Sequence, residues 1–189
     1  MAIPADTATS KRNYRDIPPV PETVWQNPWQ FIAFGFGAGA MPIAPGTFGT
    51  LITIPFYLAL RPLSDVNYLI VTVCVVIGSM WICEKVSRDI GIHDHQGMCL
   101  DEVAGFLVTM FAAPHHWLWI VVGFLLFRWF DIWKPWPIAF IDRRVGGGFG
   151  MVLDDVLAGV YACLVLQAMV WLFLRYFHDV ANLCIFRAL

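Results

Sequence analysis

Two acidic pairs stand out in a chain that otherwise carries little charge: Asp101-Glu102 in DEVAG at 101–105 and Asp154-Asp155 in DDVLAG at 154–159. Each pair is followed by Val and, shortly after, by Ala-Gly. Small residues let neighbouring helices approach closely, which would bring the two pairs together. Carboxylates gathered within a few ångströms repel one another and hold protons unless a cation neutralises them. A hard, oxygen-liganded ion such as Mg²⁺ suits such a set, and no Cys/His cluster competes for it. Adjacent helical residues diverge by about 100°, so one member of each pair is expected to coordinate and the other to hydrogen-bond behind it.

Further chemistry lies between the pairs. Arg128, Asp131 and Lys134 fall at i, i+3 and i+6. They form either an ion-pair ladder on a helix surface or a site with Asp131 on a metal and Lys134 on a phosphate oxygen. Arg143 offers a second phosphate contact, beside an Asp142 suited to pairing with a cation, and Gly146, Gly147, Gly148 and Gly150 read as a flexible loop. Upstream, APGTFGT places Gly46, Thr47 and Gly49 where a helix is expected to start. Exposed N–H groups and the Thr47 hydroxyl there would suit an anion; alternatively the glycines serve only close helix packing. The G-x-G spacing at 35–39 is not a dinucleotide loop, because no strand–helix unit surrounds it and no acid follows about 20 positions on. His93-Asp94-His95 supplies candidates for a ligand or a general acid/base.

The elements that must position these groups are apolar helices. Hydrophobic residues make up 59% of the 189-residue chain and charged ones 14%, against roughly 45–50% and 25% in soluble domains. Nine Trp and fifteen Phe suit a water–lipid boundary. The composition implies an all-α, membrane-embedded bundle of about five to six helices. Apolar segments run at 47–60, 66–83, 103–113, 117–130 and 156–174. The last is roughly 28 Å long, enough for a bilayer core, and 66–83 is also adequate. Those at 47–60, 103–113 and 117–130 are short and read as kinked, partly inserted, or core helices packed by the longer ones. If each segment crosses and the N-terminus is cytoplasmic, Lys85, Arg88, Lys134, Arg143 and Arg144 fall in cytoplasmic loops. On that map the five acids also come out at the cytoplasmic ends of their segments, while Arg61, His115, His116 and Arg187 fall outside. Residues 1–24 read as a tail without periodicity, 25–177 as one domain, and 178–189 as a C-terminal tail. A net charge of −2 and no basic tract give no reason to expect nucleic acid. The five cysteines lack zinc or C-x-x-C spacing and read as small buried hydrophobes. No apolar h-region opens the chain, so no signal peptide is expected.

APGTFGT, HDH, DEVAG, FDIWKPWPI-x-x-x-D and GGGFGM-x-x-DD-x-x-AG together resemble the signature blocks of the bacterial phosphatidylglycerophosphatase A family. The resemblance covers roughly residues 27 to 165. It implies a Mg²⁺-dependent phosphatase of the inner (cytoplasmic) membrane, with its site facing the cytoplasm, that converts phosphatidylglycerophosphate to phosphatidylglycerol. It also implies a central helix surrounded by others. Carried onto matching positions, its acids are Asp101, Glu102, Asp131, Asp154 and Asp155, with Asp94 a further match, alongside Lys134, Thr47 and the neighbouring glycines. The expected chemistry is one or two Mg²⁺ ions held by the five carboxylates, with Lys134 and Arg143 offsetting charge on the phosphate. A covalent aspartyl-phosphate is the alternative route. Two other classes compete. A phosphatidyltransferase would carry a D-G…A-R…G…D…D block, which is missing; an ion or proton transporter would set its acids near mid-membrane, whereas these collect at one end. Oligomeric state is not written in these motifs.

Overall fold

The computed structural model describes residues 20–92 and 95–186, with side chains described as far as residue 176. Seven α-helices are formed among these residues: α1 (Pro28–Ala33), α2 (Pro45–Leu60), α3 (Asp65–Ile90), α4 (Leu100–Thr109), α5 (Trp117–Trp133), α6 (Ile138–Arg144) and α7 (Gly147–Phe186). No strand occurs among them. Helix α2 follows a tight 3₁₀ segment, Gly35–Ala40, in which Phe36 and Gly37 take positive φ. The glycines there break the helix as expected.

Local chemistry sets the ends. Asn27 caps α1 by accepting from the Trp29 N–H, and Pro28 occupies the first helical position, where its missing N–H costs nothing. Ser64 caps α3, and Gly91 closes it in the left-handed conformation. His116, expected on the outer side, caps α5 by accepting from the Leu118 N–H.

The centre of the bundle is α4. It packs against α2, α3, α5 and α7, and Leu100, Val103 through Leu107 and Thr109 are buried. Ten residues span about 15 Å, too short to cross a bilayer, so this helix is the core of the bundle. Helices α3 and α7 are long and apolar enough to cross. Only 22% and 28% of their most apolar windows are buried. Their exposed faces carry Leu69, Ile70, Val73, Ile77 and Trp81 on α3, and Leu164, Trp171 and Leu172 on α7. A core helix of a soluble protein hides such surface; these two display it, as helices in contact with lipid do.

Several boundaries differ from expectation. Lys85 and Arg88 lie in the last turns of α3, paired with Asp89 and Glu84, and not in a loop. The glycines at 147, 148 and 150 belong to the start of α7, so the α6–α7 connection is only Val145-Gly146. A Cβ on Gly148 would overlap the Glu84 backbone, and one on Gly150 the Val145 carbonyl. The run therefore admits close packing. Helix α6 escaped the pattern because seven residues between Pro137 and Val145 are too few to show a period. Helix α7 continues to Phe186, through residues expected to form a tail. Residues 1–19, which hold most of the expected N-terminal tail, lie outside the described residues, while Glu22–Trp25 forms a 3₁₀ turn with Val24 buried. Cys83 and Cys99 are buried as expected and Cys163 partly so, but Cys74 is exposed on α3.

Candidate active site

The two echoing motifs meet. A Cβ on Gly159 of α7 would overlap the Gly105 carbonyl of α4, and one on Gly105 would crowd the Asp155 carbonyl. With no side chains between them the two backbones touch, and the Thr109 hydroxyl donates across the seam to the Gly159 carbonyl at 3.5 Å. That contact fixes the register of the acids at the other end of α4. One carboxylate oxygen each from Asp101, Glu102 and Asp155 lie within 4.8 Å of one another.

Each remaining wall is also positioned by a small residue or an ion pair. A Cβ on Gly46 of α2 would overlap Glu102 Oε1, and one on Gly49 would overlap the Cys99 side chain. These glycines thus let the start of α2 close over the start of α4. At the C-terminal end of α5, Arg128 Nη1 pairs with Asp131 Oδ2 at 2.6 Å and lies 3.8 Å from Glu102 Oε1. Asp131, Asp101 and Asp154 are the charges bearing on Asp155. Lys134, held in the left-handed conformation at the end of α5, reaches Asp154 Oδ2 at 2.5 Å and Asp142 Oδ1 at 2.9 Å. Of the two readings open for Arg128, Asp131 and Lys134, the ladder is only half formed: Lys134 turns away from Asp131 to α6 and α7.

Asp155 joins the cluster while Asp154 pairs with Lys134 behind it, as the divergence of adjacent helical residues predicts. The α4 pair departs from that expectation, because both members join. Asp101 sits in the first turn, and its Oδ1 folds back to accept from the Glu102 N–H at 3.0 Å.

The electrostatics are those of buried carboxylates that Arg128 and Lys134 offset only in part. Burial, then the Asp155 charge, pushes Glu102 up to about 8, with Arg128 opposing. Burial and the Glu102 charge raise Asp101 well above the carboxylate range. Burial disfavours the Lys134 charge, but hydrogen bonds to Asp142 and Asp154 outweigh it and hold the ammonium above its ordinary value. Glu102 Oε2 and Asp154 Oδ1 are buried without a hydrogen-bond partner. A buried orphan acceptor is costly, and a hard cation would relieve both the repulsion and the missing contact. The donor set fits a metal ion.

Other expected residues are placed less centrally. The Thr47 N–H already donates to the Ala44 carbonyl at 2.9 Å, so the start of α2 offers fewer free donors than anticipated. Arg143 is exposed on α6 and makes no ion pair among the described residues. His93 and Asp94 lie outside the described residues. His95 is buried against Phe34, and its Nδ1 accepts from the Gly97 N–H at 3.0 Å, shaping the turn into α4. One residue was missed. Glu84 Oε2 accepts from the Gly148 N–H at 2.7 Å and so caps α7. The E-K-x-x-R spacing signals only its i,i+4 pairing with Arg88 on a continuing helix, not the contact with the start of α7.

Residues 31–170 match the family model described as Phosphatidylglycerophosphatase A. The chain belongs to the phosphatidylglycerophosphatase A family. Relatives named phosphatidylglycerophosphatase A include one from Escherichia coli K12, 41% identical over 74% of this chain and 82% of that protein. Another, from Haemophilus influenzae, is 41% identical over 75% of this chain and 88% of that protein. A Bacteroides thetaiotaomicron protein named putative phosphatidylinositol-3-phosphatase is 34% identical, over 74% and 92% respectively. No solved structure matches. The family match begins just before Gly35 and ends past Gly159, so it takes in every phosphatidylglycerophosphatase A block and the whole carboxylate cluster.

Proposed function

We infer that this chain is a membrane phosphatase that hydrolyses the terminal phosphomonoester of phosphatidylglycerophosphate, giving phosphatidylglycerol and inorganic phosphate. The observation carrying this reading is the convergence of Asp101, Glu102 and Asp155, with Asp131 and Lys134 beside them, in a chain related throughout that region to enzymes named for this activity. The third relative is named for a different lipid phosphomonoester; a phosphomonoester on a lipid is the chemistry common to all three names.

Asp101, Glu102 and Asp155 are the ligands proposed for Mg²⁺, with Asp131 adjoining them and Asp154 held in the layer behind. Mg²⁺ bound there supplies charge neutralisation to the dianionic phosphate and acidifies a water molecule. Lys134 keeps its proton and lies between Asp154 and the exposed Asp142. Exchanging the Asp142 contact for a phosphate oxygen lets the ammonium offset charge on the reacting group. Gly46 and Gly49 keep the wall opposite α7 free of side chains. The acyl chains stay against the apolar helices, with α3 and α7 crossing the inner membrane and the carboxylate end facing the cytoplasm.

The test is phosphate release by detergent-purified protein from phosphatidylglycerophosphate, with Mg²⁺ and then with excess EDTA. Mg²⁺-dependent release that disappears in a folded Asp155→Asn variant supports the reading. Release that persists in EDTA, or no release from a sound preparation, contradicts it.

A further inference from the structure

One face of α5 points away from the bundle and forms a groove of about 670 Å³ lined by Leu125, Arg128, Trp129, Ile132 and Trp133. Four of these are apolar and exposed, at positions spaced to form a single helical face. Arg128 is the exception. Its side chain is only 16% exposed, and it forms the floor between the groove and the carboxylate cluster, reaching Asp131 and Glu102 through Nη1. Its Nε and Nη1 are both buried with no hydrogen-bond partner, Nη1 meeting the two carboxylates as an ion pair only. A guanidinium has five donors in a planar fork suited to a second, anionic partner. Here the fork lies at the join of an apolar wall and a polar site.

Resting on the function proposed above, we propose that Arg128 is a substrate-positioning and specificity residue: it binds the inner phosphodiester of the lipid while one acyl chain lies in the α5 groove. The observations fit one occupant. A lipid whose acyl chains are joined through a phosphodiester to a terminal phosphomonoester has an apolar part, then one anion, then another, in the order that the groove, Arg128 and the carboxylate cluster occur. Arg128 therefore favours substrates with two phosphates over those in which the scissile phosphate sits directly on the diacylglycerol. Its carboxylate contacts pre-orient the fork, which reduces what is lost in ordering it on binding.

The experiment compares wild type, Arg128→Lys and Arg128→Gln in mixed micelles with Mg²⁺, using phosphatidylglycerophosphate and phosphatidic acid with identical acyl chains. The readout is the ratio of the two kcat/KM values, which a purely structural ion pair does not move. Wild type is expected to favour phosphatidylglycerophosphate. Arg128→Lys, which keeps a cation for Asp131, lowers the ratio by about tenfold, chiefly through KM for the two-phosphate lipid; Arg128→Gln lowers it at least as far. An unchanged ratio in both variants, whatever the absolute loss, overturns the proposal. A second arm needs only wild type: phosphatidylglycerol, which keeps the diester, inhibits competitively, whereas diacylglycerol inhibits much less. Equal inhibition by the two also overturns it. If wild-type protein releases phosphate from neither substrate, the assigned function has failed, and this role falls with it for that separate reason.

Discussion

The two ends of α4 treat polar groups in opposite ways. At its C-terminal end they close on one another: the Tyr68 hydroxyl donates to the Leu107 carbonyl at 2.8 Å, and Gln167 Nε2 donates to the Phe111 carbonyl at 2.9 Å. Carbonyls that the helix end leaves open are thereby satisfied. At its N-terminal end, Asp101 and Glu102 face Asp155, and Glu102 Oε2 and Asp154 Oδ1 have no partner. The far end is not free of such atoms, since Arg61 Nε and Thr72 Oγ1 also lack partners, but among the described residues no metal-ligand cluster of carboxylates is found there. A helix serving only packing would gain nothing from placing three carboxylates together. On the proposed function, the contrast is between a scaffold end that packs and an end that does chemistry.

The contrast breaks most severely when the cluster is neutralised. Asp155→Asn and Asp101→Asn should each lower Mg²⁺-dependent turnover by about 10³-fold while leaving the protein folded, as a steady-state assay with a melting curve will show. Next in size is the seam that sets the register. Gly159→Val places a side chain where the Gly105 carbonyl lies; it should cost about 1–3 kcal/mol of stability and most of the activity, the two losses appearing together.

A pH effect of opposite sense to the usual carboxylate behaviour sharpens the contrast further. Glu102 rises from an ordinary 4.5 to about 8 on folding, so the folded state binds its proton more tightly. The resulting stability is present at low pH and declines as pH rises from near 4.5 through about 8. Metal-free protein should therefore melt at lower temperature at pH 8 than at pH 5.5, and Mg²⁺ should restore more of that loss at pH 8. Melting in EDTA that is flat or rising with pH would refute this. The smallest effect belongs to the scaffold end. Tyr68→Phe removes the bond to Leu107 and should cost about 1 kcal/mol, with kcat within about twofold of wild type.

Much of this division was legible in the sequence. The echo of DEVAG in DDVLAG carried both the acids and the glycines that bring them together, because helix contacts of this kind need small residues at fixed spacing from the groups they position. The grouping of Asp131 with the pairs followed from the alternation of apolar segments. The division of labour among the cations did not follow. Helical spacing alone sets Lys134 in line with Asp131, but the left-handed residue ending α5 turns it toward Asp142 and Asp154. Glu84 was hidden because its partner is a backbone N–H on another helix, which no side-chain pattern records. Helix α6 was too short to show a period, and the glycine-led start of α7 was obscured for a different reason: Gly marks loops by intrinsic preference, and here close packing overrides that preference. A central helix was expected from the resemblance and a core role was open to each short segment, but which of them it is could not be read from length; burial on every side identifies α4.

Metal binding at one end of α4 is the most direct test. Mn²⁺, a spin-active stand-in for Mg²⁺, can be titrated into detergent-purified protein and followed by electron paramagnetic resonance. Wild type and Asp65→Asn, whose lost carboxylate belongs to the scaffold end, should bind alike, and Asp155→Asn should bind at least about tenfold more weakly. Equal binding by Asp155→Asn and wild type, or a comparable loss in Asp65→Asn, would contradict a metal site built where α4 and α7 meet.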